Sequence, residues 1–460
     1  MSTRLEAGPR RLALSILVTG LALGVAGDAL LRVGPWGANG LIWTALLVAA
    51  MVLLAGWHRR RLGRGSFALL PLALAFAAGL VWRDAESLKL LNLGGVGLAL
   101  VWAAKQARGV RWPLGGVFDY AWQLGRSGFD AAAGYVPLFL VGTLWPQAQP
   151  DGWRGRARAL AVGVALALLP LILFGALLVS ADAVFRQLVN RFVDLDFSTW
   201  LSHLFPIAVC SWITGGYLVG LLFRETSDAS PTLPQFLALG TLEVQVAVAL
   251  VDLLFLSFIA VHARYLFGGA NLVAITPGLT YAEYARQGFF QLVAVVVFAL
   301  PLLLGADWLL GKANRRWFRV LAAATIAMLL VILISAGHRL RLYEREYGWT
   351  ELRWYVAAFM GWLAAVLVWF AATVLAGRRE RFMSGALVAG LLGIALVNVW
   401  NPHAWIAQRN HAHARTGHKL DAAYLAELSG DAVDAGAGAA RLVGSGPADH
   451  PQPSPPLGEG

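Results

Sequence analysis

Long apolar runs alternate with short polar gaps along this chain, at about 12–31, 37–57, 66–82, 88–104, 157–181, 200–223, 241–267, 288–310, 317–337, 352–376 and 382–400. Most are about 17–25 residues long, the length a helix needs to cross ~30 Å of hydrocarbon. Lipid offers no hydrogen bonds, so a crossing segment must pair its own backbone groups internally. The pattern therefore predicts an all-α fold, a polytopic transmembrane helical bundle of about 11 spans. Tryptophans such as Trp36, Trp57, Trp82, Trp308, Trp354 and Trp400 mark span ends, where an amphipathic indole sits at headgroup level. Small residues (Gly20, Gly24 and Gly27 in the first span, Gly390 and Gly393 in the last) fit close helix approach in lipid.

The gaps divide the chain. Residues 1–104 form a four-helix transmembrane region, and 157–400 a seven-helix transmembrane core. Between them, 105–156 has apolar residues interrupted by Asp119, Arg126 and Asp130, and its cleanest run, Tyr135 to Trp145, is too short to span. An interfacial or re-entrant segment is expected there. Asn401-Pro402 pairs an N-cap with a first-turn proline, so a juxtamembrane helical tail is expected over 401–430. Residues 431–460, rich in Ala, Gly and Pro, are expected to be disordered.

Composition agrees with a membrane class: 58% of residues are apolar and 14% charged, and mean hydropathy is +0.64. The net charge of +11 does not point to nucleic acid, because the basic residues sit in small clusters beside apolar runs. HRRRLGR at 58–64, RGRAR at 154–158, KANRRWFR at 312–319 and GRRER at 377–381 read as cytoplasmic loops beside anionic membrane lipids. The first run, although preceded by Arg10 and Arg11, is long enough to be an uncleaved first span. A single cysteine, Cys210, excludes an internal disulfide and a cysteine-based metal site.

Two groups of polar residues stand out as candidate chemistry. The stretch HRLRLYEREYGWTELRWY, 338–355, crowds charges between two apolar runs. Its local logic is a helix running to about Tyr347, Gly348 in the left-handed conformation that ends helices, and Thr350 capping the next helix with Glu351 in its first turn. It reads either as a solvated turn laced by ion pairs or as a recognition face for an anionic ligand, with Arg339, Arg341 and Arg345 as donors. The second group lies inside a span: Asp252, midway along 241–267, with Glu243 and His262 nearer its ends. A charge at mid-membrane costs about 2.5–3.5 kcal/mol or more, so Asp252 is either buried against a partner or part of an ion or proton path. The histidines of the tail (His403, His411, His413, His418) do not complete a metal set, since positions i and i+2 of a helix face different ways. No phosphate-binding loop, dinucleotide fingerprint, HExxH or GxSxG motif occurs. No cofactor and no catalytic residue are expected.

Four segments carry a family resemblance: FGALLVSADAVFRQLV at 174–189, GLTYAEYARQGFFQLVAV at 278–295, RLRLYEREYGWTELRWYVAAFMGWLA at 339–364, and NPHAWIAQRN with LDAAYLAELSGDAV within 401–433. Together they resemble the uncharacterised bacterial membrane proteins of domain of unknown function 4173. The resemblance implies a multi-pass protein of the bacterial plasma membrane and supplies no activity. Successive segments are separated by two spans each, and an even number of crossings returns the chain to one side. Asp182, Glu283, Arg286, Arg339, Arg341, Glu344, Arg345, Glu346, Glu351 and the tail's Asn410 and Asp421 are thereby expected to share one face as a polar vestibule. Transport of a small solute or ion is the leading expectation. The alternatives are a sensory or assembly partner of another membrane complex, and a membrane enzyme on a lipid-linked substrate.

Overall fold

In a computed structural model of the chain, the structure describes residues 3–32, 34–60, 62–107, 197–222, 241–267, 289–310, 315–418 and 420–432, with isolated positions between 125 and 185. Twelve α-helices order these residues: α1 (Thr3–Leu31), α2 (Ala38–Trp57), α3 (Arg64–Trp82), α4 (Glu86–Ala107), α5 (Phe197–Leu222), α6 (Thr241–Phe267), α7 (Phe289–Leu309), α8 (Arg316–Tyr347), α9 (Glu351–Phe370), α10 (Phe382–Trp400), α11 (Pro402–Ala414) and α12 (Ala422–Glu427). No strand occurs among the described residues. Among them, 10 helices are long and apolar enough to cross a membrane. This is a multi-pass membrane protein. Each of these helices matches an apolar run; nearly all of the remaining run, 157–181, lies outside the described residues, as does nearly all of 105–156.

The chain forms two compact units. The first comprises Met1–Trp82 and Lys89–Thr232. Within it α5 lies along α1 at close range, because Gly24 and Gly27 present bare backbone to Ile207, Cys210 and Ser211. At one end of this seam the His203 imidazole meets the Asp28 carboxylate at 2.6 Å. Ser66 donates to the Ala103 carbonyl at 2.8 Å and Tyr217 to the Leu100 carbonyl at 2.8 Å, fixing α3 and α5 to α4.

The second unit comprises Arg83–Leu88 and Leu233–Gly460. Its helices α7, α8, α9 and α10 run as consecutive antiparallel crossings, with α6 packed along α8. At one end Asp307, buried at the foot of α7, holds Arg315 at 3.2 Å and Arg379 at 3.6 Å, tying the α7–α8 and α9–α10 connections together. At the other end the start of α7, the α8–α9 turn and α11 come together. Helix α8 has 32 residues, about 48 Å at 1.5 Å per residue, so it is longer than the hydrocarbon is thick. Its apolar part ends near Gly337, so the charged part from His338 to Tyr347 extends beyond the hydrocarbon.

Candidate functional site

The turn between α8 and α9 is the centre of the polar end. Gly348 closes α8, its N–H bonding the Glu344 carbonyl at 2.9 Å. Its φ of 70° is positive as expected, but ψ is −171°, outside the left-handed helical region and in territory open almost only to glycine. The chain thus leaves the helix extended, and the peptide groups of Trp349 face α11. There Asn410 accepts from the Trp349 N–H at 2.7 Å and donates to the Trp349 carbonyl at 2.8 Å. One side-chain amide satisfies both backbone groups of one residue, and the Trp349 and Trp405 rings meet edge to face at 4.5 Å beside it. Arg353 closes the turn from the other side, donating to the Gly348 carbonyl at 2.5 Å with its guanidinium 4.2 Å from the Tyr343 ring centre. Thr350 caps α9 as expected.

Asn410→Leu keeps the volume of the side chain but strands both groups of Trp349. Each unpaired buried backbone group costs about 1–3 kcal/mol, so a loss of about 2–4 kcal/mol is expected in detergent unfolding titrations. A change below about 0.5 kcal/mol would show that the amide clamp does not hold α11 in place.

Glu351 leads from this turn into a second polar group. Its N–H donates to the Tyr424 hydroxyl at 2.6 Å, and Oε1 accepts from Ser87 at 2.5 Å. Burial raises the Tyr424 phenol above its ordinary range, so the hydroxyl stays neutral. The buried His403 places Nε2 3.3 Å from the same Oε1, with the N–H direction missing the oxygen. Nδ1 of His403 takes the Ser429 N–H at 3.1 Å and lies 2.9 Å from Ser429 Oγ. Ser429, His403 and Glu351 stand in the order of a nucleophile relay. A backbone N–H can only donate, however, so the Nδ1 lone pair is already engaged and the hydroxyl has no base to activate it. The group is a brace. Asp431 completes it: Oδ2 accepts from the Asp84 and Ala85 N–H groups at 2.8 and 3.0 Å, while Arg83 donates to the Asn398 carbonyl at 2.8 Å. Order therefore runs to Asp431 and the buried Ala432, past the start expected for the disordered tail; residues from 433 lie outside those described.

Beside the turn, α8, α9 and α11 enclose a groove of about 650 Å³. Helix α8 contributes Gly337, Leu340, Arg341, Glu344 and Arg345, spaced i, i+3, i+4, i+7 and i+8, which is a single helical stripe. Helix α11 faces it with Trp405, Arg409 and His413, again at i, i+4 and i+8. The three arginines are exposed, whereas Glu344 is buried and its Oε1 has no hydrogen-bond partner. Burial raises the Glu344 carboxyl to about 7 against the pull of Arg353 and Arg341, so near neutral pH it carries a proton about half the time. A smaller cavity of about 270 Å³ lies between Phe289 and Phe290 of α7 and the ring of Tyr343.

Inside the membrane, Asp252 is buried against α8. Thr325, fully buried near the middle of the spanning part of α8, sits with Oγ1 2.6 Å from Asp252 Oδ1 and 3.1 Å from the Leu321 carbonyl. Asp252 Oδ2 is buried with no hydrogen-bond partner.

The described site residues thus fall into several places. Arg341, Glu344 and Arg345 line the groove, and Glu351 belongs to the brace beside it. Arg339, expected as an anion donor, is buried on the packed side of α8 and does not line the groove. Asp182 belongs to the first unit, where it accepts the Phe185 N–H at 2.6 Å. Glu283 and Arg286 lie outside the described residues, and of His262 only the helical backbone is described. The sequence pattern missed Arg409, His413, His403 and the Arg83–Ser87 segment as neighbours of the turn. Asn410 had been placed on the same face, by the count of crossings.

A family model described as Domain of unknown function (DUF4153) matches residues 69–438. An uncharacterised family was implied by the four segments, though under a different number, 4173. No curated protein and no solved structure matches the chain.

Proposed function

The chain belongs to the family Domain of unknown function (DUF4153), whose description carries no activity, so we propose from its own side chains that it transports protons or a proton-coupled small solute. The observation that carries this reading is the Asp252–Thr325 pair in the membrane interior. Thr325 has one hydroxyl hydrogen and two acceptors in reach. With Asp252 ionised, the hydroxyl donates to Oδ1. With Asp252 protonated, Thr325 accepts from the carboxyl O–H and turns its own hydrogen to the Leu321 carbonyl. Either protonation state is hydrogen-bonded without moving a helix, which is what a group that exchanges a proton in low dielectric requires. A carboxyl kept only for packing has no use for such a rotor, and its cost at mid-membrane favours a functional role. The basic end of α8, with Arg341, Glu344, Arg345 and the neighbouring Glu351, serves in this reading as the vestibule. Thr325 and Glu344 lie on the same helix, about 28 Å apart along its axis. The membrane we assign is the bacterial plasma membrane, following the basic clusters and the resemblance of the four segments.

The test is reconstitution of the purified chain into liposomes carrying an internal pH-sensitive dye. A pH gradient or a potassium diffusion potential should then drive acidification faster than in protein-free liposomes. Equal rates under both driving forces, with and without a mixture of small solutes outside, overturn the reading.

A further inference from the structure

The groove between α8, α9 and α11 combines features that a packing defect would not. We propose that it binds the phosphate headgroup of an anionic membrane lipid, with an acyl chain leading down its apolar floor past Gly337 and Met360. The charge arrangement carries the first half of this inference. Arg341 and Arg345 are one turn apart on α8, and Arg409 faces them from α11. Arg341 and Arg345 are exposed and form no hydrogen bond or ion pair among the described residues, and Arg409 only rests over the Trp405 ring at 5.3 Å. Three guanidinium groups gathered round one opening, with their donors unspent, match the oxygens of a phosphate.

The floor carries the second half. Leu340, Met360, Trp349 and Trp405 are apolar or aromatic, and Met360 packs against Gly337, where the apolar part of α8 ends. A free phosphate would gain nothing from such a floor. A lipid would place its phosphate at the arginines, in the headgroup layer, and its chain against the apolar wall. The volume of about 650 Å³ suits a headgroup and the first part of a chain. Glu344 is the one carboxyl lining the groove, and its unpartnered Oε1 would repel a phosphate if charged. In its protonated form, which burial favours, it supplies an O–H donor instead. His413 adds a further polar side chain to the lining. The inference stands apart from Asp252, and Asp252→Asn leaves it untouched.

The experiment uses the full chain purified in an uncharged detergent, with thermal unfolding followed as phosphatidylglycerol, phosphatidylcholine, glycerol phosphate or inorganic phosphate is added. Phosphatidylglycerol is expected to stabilise the chain, and phosphatidylcholine to do so far less. In Arg341→Gln/Arg345→Gln the apparent affinity for phosphatidylglycerol should fall about tenfold or more. Ala412→Trp, which fills the groove from its exposed rim without touching a charge, should give the same loss. Arg378→Gln/Arg381→Gln, at the opposite end of the helices, should stay within about twofold of the unaltered chain. The proposal fails if glycerol phosphate or inorganic phosphate stabilises as well as the lipid at equal concentration. It fails equally if the distant pair loses as much as the groove pair, or if Ala412→Trp binds like the unaltered chain.

Discussion

Asp252→Asn is expected to lower proton flux into liposomes by at least about a hundredfold while leaving the protein folded, monodisperse and fully helical. A positioned acid–base group contributes about 10²–10⁴ to a proton-transfer rate, and Asn has the shape of Asp without the exchangeable proton. The Asn carbonyl can still accept from Thr325, so the α6–α8 contact at 2.6 Å survives the change. Glu243 cannot substitute, since it lies two and a half turns nearer the start of α6 and is exposed. Thr325→Val separates the two parts of the argument. It retains the carboxyl but removes the rotor that serves both protonation states, so flux should fall with Asp252 still present. Valine is nearly isosteric, and the cost to the fold should be about 1–3 kcal/mol, from the carboxyl left with no partner. Unchanged flux in Asp252→Asn would make Asp252 a packed residue and remove the basis for transport.

The spans were legible because lipid permits so few solutions. A run of some twenty apolar residues that must satisfy its own backbone can be little but a helix, and ten such runs appear where the hydropathy placed them. Short-range chemistry was equally readable: Thr350 accepts from the Arg353 N–H, and Asn401 caps α11 ahead of Pro402. The stripe of Gly337, Arg341, Glu344 and Arg345 could be drawn on a helical wheel before any coordinates. What faces it could not. Helix α11 is short and of mixed polarity, so nothing local in its sequence says that Arg409 and His413 turn towards α8 while His403 turns away to Ser429.

The role of Asp431 was hidden for a related reason. It sits in a run of Gly and Ala that composition marks as unstructured, and its partners Asp84 and Ala85 are more than three hundred residues earlier. Those two N–H groups lie in the short irregular stretch just before α4, where no helix or strand pairs them. Any carboxylate brought there is held, yet the sequence does not say which one arrives. Arg339 shows the converse case. Read as one of three arginines on a charged extension it looked equivalent to Arg341 and Arg345, but helical geometry turns it 200° from Arg341, onto the buried side.

Gly24→Ile is expected to break the first unit open, with a loss of about 3 kcal/mol or more in detergent unfolding titrations. The reason is the spacing of α1 and α5. A Cβ at Gly24 would overlap Ser211 Oγ and lie 2.6 Å from the Ile207 carbonyl oxygen. A serine side chain can rotate aside, but the carbonyl belongs to the α5 backbone, so the helices themselves must separate. Separation then strips the neighbouring contacts: Gly27 against Cys210 one turn along, and the Asp28–His203 pair at 2.6 Å beyond it. Helix propensity works the other way, since isoleucine is a better helix former than glycine, which isolates packing as the cause. Gly56→Ile makes the comparison, because a Cβ there meets nothing within 4 Å and the cost should stay within about 0.5 kcal/mol. Cys210, the single cysteine of the chain, lies in the seam and reports on it directly. Maleimide labelling of Cys210 should accelerate in Gly24→Ile and stay at the unaltered rate in Gly56→Ile. Equal stability and equal labelling in the two variants would mean that α1 and α5 do not meet at these glycines.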